Sequence, residues 1–234
     1  MLYIFFMKIT KYYSQNYNTK TRGNKSIRLI ILHYTGMQSE RESLKKLTNP
    51  RSKVSCHYLI NRKGEIINLV KEQNIAWHAG KSKWGNYVNL NKNSIGIELV
   101  NKGHQYGYQK FTRPQINKLV KLCKKIKRKY NIKNRFILGH SDIAPLRKVD
   151  PGEKFPWIYL SSKGLGIFPE KTIIKKLPES KRISYDLFFR NLNRIGYRYL
   201  SKKFKIRITK NFQRRYRQEN VNGVLDQETM KISS

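Results

Sequence analysis

A chain of 234 residues suffices for one full domain and a small second one, and 38% hydrophobic residues, with 15 Tyr and 10 Phe, can build a buried core. Its 50 Lys and Arg against 14 Asp and Glu give a formal charge of +36, which attracts polyanions such as nucleic acid, anionic lipid or an acidic wall polymer. The basic residues are spread through every element rather than gathered in a tail, so no dedicated nucleic-acid partner is expected, and two cysteines exclude a disulfide framework or a cysteine zinc knuckle.

The apolar run Met1–Met7 is far shorter than the roughly 18 residues of a membrane span. It also lacks a charged start and a small-residue cleavage site, which argues against a secretory signal. Met7 is an alternative start, and the first six residues are read as dispensable. Residues 8–25 are polar and read as an extended lead-in. Ile27 to Leu32 is apolar and β-branched, hence a buried strand, and it ends on His33. Glu40 to Thr48 reads as a helix with Leu44 and Leu47 inward, stopped by Asn49-Pro50. Residues 54–60 and 66–70 flank Asn61-Arg62-Lys63-Gly64, a hairpin signal that puts Cys56 and His57 inside a strand.

Ser94 to Val100 is a further buried strand interrupted by Glu98. Thr112-Arg113-Pro114-Gln115 has the form of a capping box with Pro in the first turn. The helix that follows runs to about Tyr130, its stripe marked by Ile116, Leu119, Val120, Cys123 and Ile126. Residues 135–139 form a last short strand ending on His140. The fold class is therefore α/β, a mixed central sheet flanked by helices. Residues 151–180 carry Pro151, Pro156, Pro169 and Pro178 and read as loop, with a linker over 170–183. The chain then turns helical, and Leu187, Leu192, Ile195, Phe204, Ile206, Ile208, Phe212 and Tyr216 suggest a small core of its own over 184–234.

His33 and His140 each follow an apolar strand, and Asp150 comes ten residues after His140 on a loop braced by Pro145 and Pro151. Two imidazoles and a carboxylate match a catalytic zinc site that leaves a fourth position open. Spacing alone does not bring His33 to His140. Glu98 is costly to bury unless it faces a cleft or a partner; it is an exposed strand-face charge, half of an internal salt bridge, or a general base beside a metal-bound water. Lys148, two residues before Asp150, is a candidate for steadying negative charge. Trp77, His78 and Trp84 sit in a loop of aromatic and small residues suited to a ligand groove, and with Arg147 they are taken as substrate-binding. His57 reads as structural or as a partner of a ligand, and His104 is assigned no role.

Residues 27–160 resemble the type 2 family of zinc-dependent N-acetylmuramoyl-L-alanine amidases, whose fold is shared with peptidoglycan recognition proteins. The matching blocks are Leu32-His33-Tyr34-Thr35, Val54 to Ile60, Ala76-Trp77-His78-Ala79-Gly80, Asn93 to Asn101, 140–152 and Phe155-Pro156-Trp157. The resemblance implies that His33, His140 and Asp150 hold one zinc ion, that Glu98 is the base and that Lys148 is the electrostatic stabiliser. Relatives that only bind have lost a metal ligand; this chain keeps all three. The implied substrate is peptidoglycan or a muropeptide of a bacterial cell.

Lack of an export signal points to the cytoplasm, whereas a wall-binding tail points to the periplasm or envelope; oligomeric state is silent. Residues 184–234 resemble a small helical peptidoglycan-binding domain through Leu192 to Tyr197, Asn211-Phe212-Gln213 and Asn222 to Thr229. With 12 basic and 4 acidic residues, that segment would suit an anionic partner.

Overall fold

The computed structural model describes residues 7–176, 178–179 and 182–234. The run Met1–Phe6, expected from the sequence to be dispensable, and Leu177, Ser180 and Lys181 of the expected linker, lie outside them. The strands are β1 (Ile9–Lys11), β2 (Tyr17–Asn18), β3 (Leu29–Tyr34), β4 (Tyr58–Ile60), β5 (Ile66–Asn68), β6 (Ile75–Ala76), β7 (Lys83–Trp84), β8 (Tyr87–Val88), β9 (Ser94–Leu99) and β10 (Ile137–Gly139). The helices are α1 (Glu40–Thr48), α2 (Arg113–Tyr130), α3 (His140–Ile143), α4 (Trp157–Ser162), α5 (Lys171–Lys176), α6 (Tyr185–Ile195), α7 (Lys205–Tyr216) and α8 (Gln227–Ser233).

Six strands make the central sheet in the order β1-β5-β4-β9-β3-β10, with β2–β6 and β7–β8 as two small antiparallel ribbons. β4, β9, β3 and β10 are mutually parallel, whereas β5 runs against β4 to close the expected hairpin. The mixed α/β sheet is thus as expected. The segment read as a lead-in joins this architecture: β1 lies parallel to β5 at the sheet edge.

Side chains alternate along β3, so its two faces serve different layers. Ile30 and Leu32, with Ile95, Ile97 and Leu99 of β9, pack against Ile116, Leu119, Val120, Cys123 and Ile126 of α2. Leu29 and Ile31 point the other way and join Phe188, Leu192, Ile208, Phe212, Tyr216 and Met230 of α6, α7 and α8. With both faces covered, β3 needs a continuous apolar run rather than alternation. His33 continues the second face at the strand's carboxyl end, and the register sets it beside Glu98.

Several local expectations need correction. The residues Val54 to His57 precede β4 rather than extending it, because Ser55 N bonds Trp77 O and His57 N bonds Gly96 O. Thr112 caps α2 by accepting from Gln115 N, but the Gln115 side chain does not close the box. Its amide instead donates to Ile60 O and Val100 O (3.0 and 3.2 Å), stitching β4 to the end of β9. The proline-rich 151–180 stretch holds α4 and α5; Pro156 precedes the first turn of α4, which buries Trp157 and Leu160. Finally, α6–α8 share their core with the sheet, leaving Ile195, Phe204 and Ile206 on the surface. Among the described residues no helix is long and apolar enough to cross a membrane.

Candidate metal centre

Parallel strands direct ligands to their carboxyl ends, where the following loops diverge and leave a crevice. β3 delivers His33 there, and β10 passes directly into α3, whose first residue is His140. The hairpin-like return from His140 to Asp150 is closed by Ser141 N donating to Asp150 O at 2.9 Å. All three side chains are buried, and their ligand atoms meet: Nδ1 of His33 lies 3.0 Å from Nδ1 of His140 and 3.0 Å from Oδ2 of Asp150, and the third side of the triangle is 3.1 Å.

Hydrogen bonds alone do not account for this triangle. If both Nδ1 atoms carried protons for Asp150, the two N–H groups would face each other at 3.0 Å. Three lone pairs around one cation remove the conflict, and zinc bonds of 2.0–2.1 Å in a tetrahedron imply ligand separations of about 3.3 Å. The group can therefore hold a metal ion.

The outer nitrogens fix the required tautomers. His140 Nε2 donates to Ala79 O at 3.1 Å. His33 Nε2 faces Nδ1 of His78 at 3.1 Å, His78 Nε2 faces Ser94 Oγ at 3.2 Å, and Ser94 Oγ donates to Leu90 O at 2.6 Å. Donors assigned along this chain point one way, from His33 to Leu90, and leave Nδ1 of His33 bare. Burial, reinforced by His140, pushes His33 down to about 4, and burial holds His78 well below its ordinary value, so both imidazoles are neutral near pH 7. Burial opposes ionisation of Asp150, yet His140 and His33 hold its carboxyl far below the usual range.

A cleft of about 360 Å³ opens over the triangle, with Tyr34, Trp77, Glu98 and Lys148 in its walls. One carboxylate oxygen of Glu98 is out of solvent with no hydrogen-bond partner. Burial, then the negative Asp150, push this carboxyl up to about 8. Tyr34 was not singled out by the sequence. Its hydroxyl bonds His104 Nδ1 at 2.9 Å, and His104 Nε2 bonds Glu153 at 3.1 Å, so the phenol is oriented by an imidazole–carboxylate pair.

The residues taken as substrate-binding separate. Trp77 lines the cleft and its indole N–H donates to Asn18 Oδ1 at 2.5 Å. His78 reaches the cleft, but its ring nitrogens are committed to His33 and Ser94. Arg147 borders the cleft, yet its guanidinium donates to Ala79 O and Lys81 O and so holds the 79–81 turn. Trp84 does not reach the cleft: it is buried against Tyr197, ring centroids 4.9 Å apart. His57 is structural, accepting from Gly96 N at 2.9 Å and meeting Arg22 at 2.9 Å.

Sequence reasoning also missed what seats His78. Asn91 Oδ1 accepts from the backbone N of His78 and Ala79 (3.1 and 2.7 Å), and a Cβ at Gly96 would lie 2.4 Å from the His78 ring. Glycine in mid-strand was the available signal, since it marks a close approach. His78→Phe, which keeps the ring and removes its nitrogens, is expected to weaken metal binding at the triangle about 10- to 100-fold. Chelator competition measures this, and an unaltered affinity would remove His78 from the support of His33.

A single-metal hydrolase is the class defined by a His-His-Asp triangle with a buried carboxyl, one oxygen of it unpartnered, across one cleft. The chain belongs to the N-acetylmuramoyl-L-alanine amidase family, whose model matches residues 23–153 and whose members are typically zinc-dependent. It is 36% identical over 227 residues to the N-acetylmuramoyl-L-alanine amidase AmiD of Escherichia coli, covering 88% of this chain and 81% of AmiD. It is 34% identical over 157 residues to the 1,6-anhydro-N-acetylmuramyl-L-alanine amidase AmpD of Haemophilus influenzae, covering 59% of this chain and 83% of AmpD. The structure of E. coli AmiD with anhydro-N-acetylmuramic acid-L-Ala-D-γ-Glu-L-Lys matches at a TM-score of 0.81 and 33% identity, over 92% of this chain and 90% of that one. AmpDh3 of Pseudomonas aeruginosa matches at 0.81 and 33%, over 94% of each chain.

Proposed function

We propose that this protein hydrolyses the amide bond between the lactyl group of N-acetylmuramic acid, or its anhydro form, and the L-alanine of the stem peptide, with one zinc ion held by His33, His140 and Asp150. The observation that carries the reading is the convergence of two imidazole nitrogens and one carboxylate oxygen within 3.1 Å of one another beneath a cleft that also contains the unpartnered Glu98 oxygen. Family membership and the substrate complex of AmiD support the choice of bond.

Zinc at this triangle supplies Lewis-acid activation of water and of the scissile carbonyl near neutral pH. Glu98 takes the proton of the attacking water on its buried carboxylate and returns it to the alanine nitrogen as the C–N bond breaks. Lys148, in the cleft wall, faces the negative charge that grows on the carbonyl oxygen. Tyr34, its proton turned toward His104, keeps an oxygen lone pair for a substrate N–H. His78 and the Ala79 carbonyl hold the two imidazoles in the ligating tautomer.

Digestion of purified peptidoglycan and anhydro-muropeptides, read by mass spectrometry, tests the proposal. The expected products are stem peptides with a free L-alanine amine and sugars with a free lactyl carboxylate. A receptor that only binds would release no peptide, and sugar fragments still bearing stems would mark a glycosidase; either result overturns the reading.

A further inference from the structure

The C-terminal helices carry more than a shared core. Asn211, Arg214, Arg215 and Gln218 fall at i, i+3, i+4 and i+7, one face of α7 continued just past its end. That face is polar, and it is aimed at the loop that bears His140, Lys148 and Asp150. Asn211, fully buried, donates its amide to Pro145 O at 2.6 Å and Lys148 O at 2.9 Å. Its own oxygen accepts from Arg214 Nη1 at 2.9 Å, which fixes the amide the right way round. Arg214 Nε also reaches Glu153 at 3.3 Å, the carboxylate that orients His104. Gln218 donates to Glu153 O and Phe155 O at 2.6 and 2.7 Å.

The near end of the loop is held in the same way. Asp142, two residues beyond His140, accepts from Tyr197 Oη and from Gly139 N, both at 2.7 Å. Arg215 lies 3.8 Å from Asp142 and 3.3 Å from the Trp157 ring centroid. Backbone carbonyls at 145 and 148 are thus taken by Asn211 of α7, and those at 153 and 155 by Gln218 two residues past its end, on both sides of Asp150; among the described residues only Phe155 O has a further donor, Trp157 N. A buried carbonyl left without such a donor costs free energy comparable to a lost hydrogen bond, so the loop conformation depends on α7.

We infer that α7 is the clamp that sets the metal-ligand loop, with Asn211 as its central positioning residue for the amidase reaction. The inference rests on the zinc reading above and goes beyond it, because it gives the C-terminal helices a part in the active site. Within the Asn211-Phe212-Gln213 block the three side chains divide: Asn211 holds the loop, Phe212 enters the sheet core, and Gln213 ties Gly223 N and Val224 O.

The test compares Asn211→Ala with Asn191→Ala in the full chain. Asn191 is likewise a buried asparagine of these helices, but its amide bonds Ser233 Oγ at 3.2 Å, away from the loop. Both variants should lower the melting temperature. Asn211→Ala alone is expected to weaken zinc about tenfold or more in chelator competition and to lower kcat with KM little changed. Gln218→Ala, beyond the helix end, should shift both readouts in the same direction and serves if Asn211→Ala does not fold. Wild-type zinc affinity and kcat in Asn211→Ala, or an equal loss in Asn191→Ala, overturns the clamp. A wild-type protein that holds no zinc overturns the metal reading with it.

Discussion

His33→Ala is expected to lose tightly held zinc and amidase activity together while the sheet stays folded. Two ligands would remain, and the open side would be filled by solvent. His78 would lose the donor that its Nδ1 now faces. Metal polarisation supplies several kcal/mol of transition-state stabilisation, and each 1.4 kcal/mol is tenfold in rate, so the activity should fall by about 10³-fold or more. The sheet survives because His33 is the next-to-last residue of β3, and Leu29 to Leu32 carry the packing on both faces. Metal content after dialysis, stem-peptide release and circular dichroism read the three outcomes separately. A folded His33→Ala protein with full activity would sink the ligand assignment.

How far the sequence could be read depended on how local each signal was. Runs such as Leu29 to Leu32 and Ile137-Leu138 are apolar whatever lies on either side of them, so the strands and the histidines that follow these runs were visible in one dimension. Thr112 was visible as a cap because capping spans one turn, but the fate of the Gln115 side chain depended on Ile60 and Val100, which only the folded sheet brings near. The loop around Trp77 and Trp84 offered two similar aromatics. One lines the cleft and the other is covered by Tyr197, a residue from the far end of the chain.

The role of His78 needed β9 beneath it, with Ser94 as acceptor and Gly96 leaving room. Helical spacing puts Ile208, Phe212 and Tyr216 on one buried face of α7, whereas Ile206 turns to the opposite face and is exposed. Periodicity gives a face and not the surface that the face meets; here that surface is the central sheet, so α6–α8 have no core to themselves. The polar face of α7 was legible as residues and illegible as a clamp, because backbone carbonyls of a remote loop leave no trace in sequence.

Glu98→Gln is expected to leave zinc binding intact and to lower kcat by about 10²- to 10⁴-fold, the usual worth of a positioned general base. The amide keeps the shape of the side chain and cannot take a proton from water. The pH profile then carries the argument further. Without metal the carboxyl is pushed up to about 8 by burial and by Asp150, and a cation at the triangle favours the ionised form and draws that value down. The base must be ionised, so kcat/KM should rise with pH through a limb between the ordinary carboxyl value of 4.5 and about 8, and the limb should vanish in Glu98→Gln. Stability runs the opposite way. A carboxyl whose folded value is raised favours the fold while protonated, and that contribution is lost as pH climbs from 4.5 to about 8. Metal-free Glu98→Gln should therefore melt higher than the metal-free wild type above about pH 8, where the wild type must bury a charge with no partner on one oxygen. A variant that is slow but no more stable at high pH would mean that Glu98 is solvated in the folded protein, and a solvated carboxylate is too weak a base for the role assigned to it.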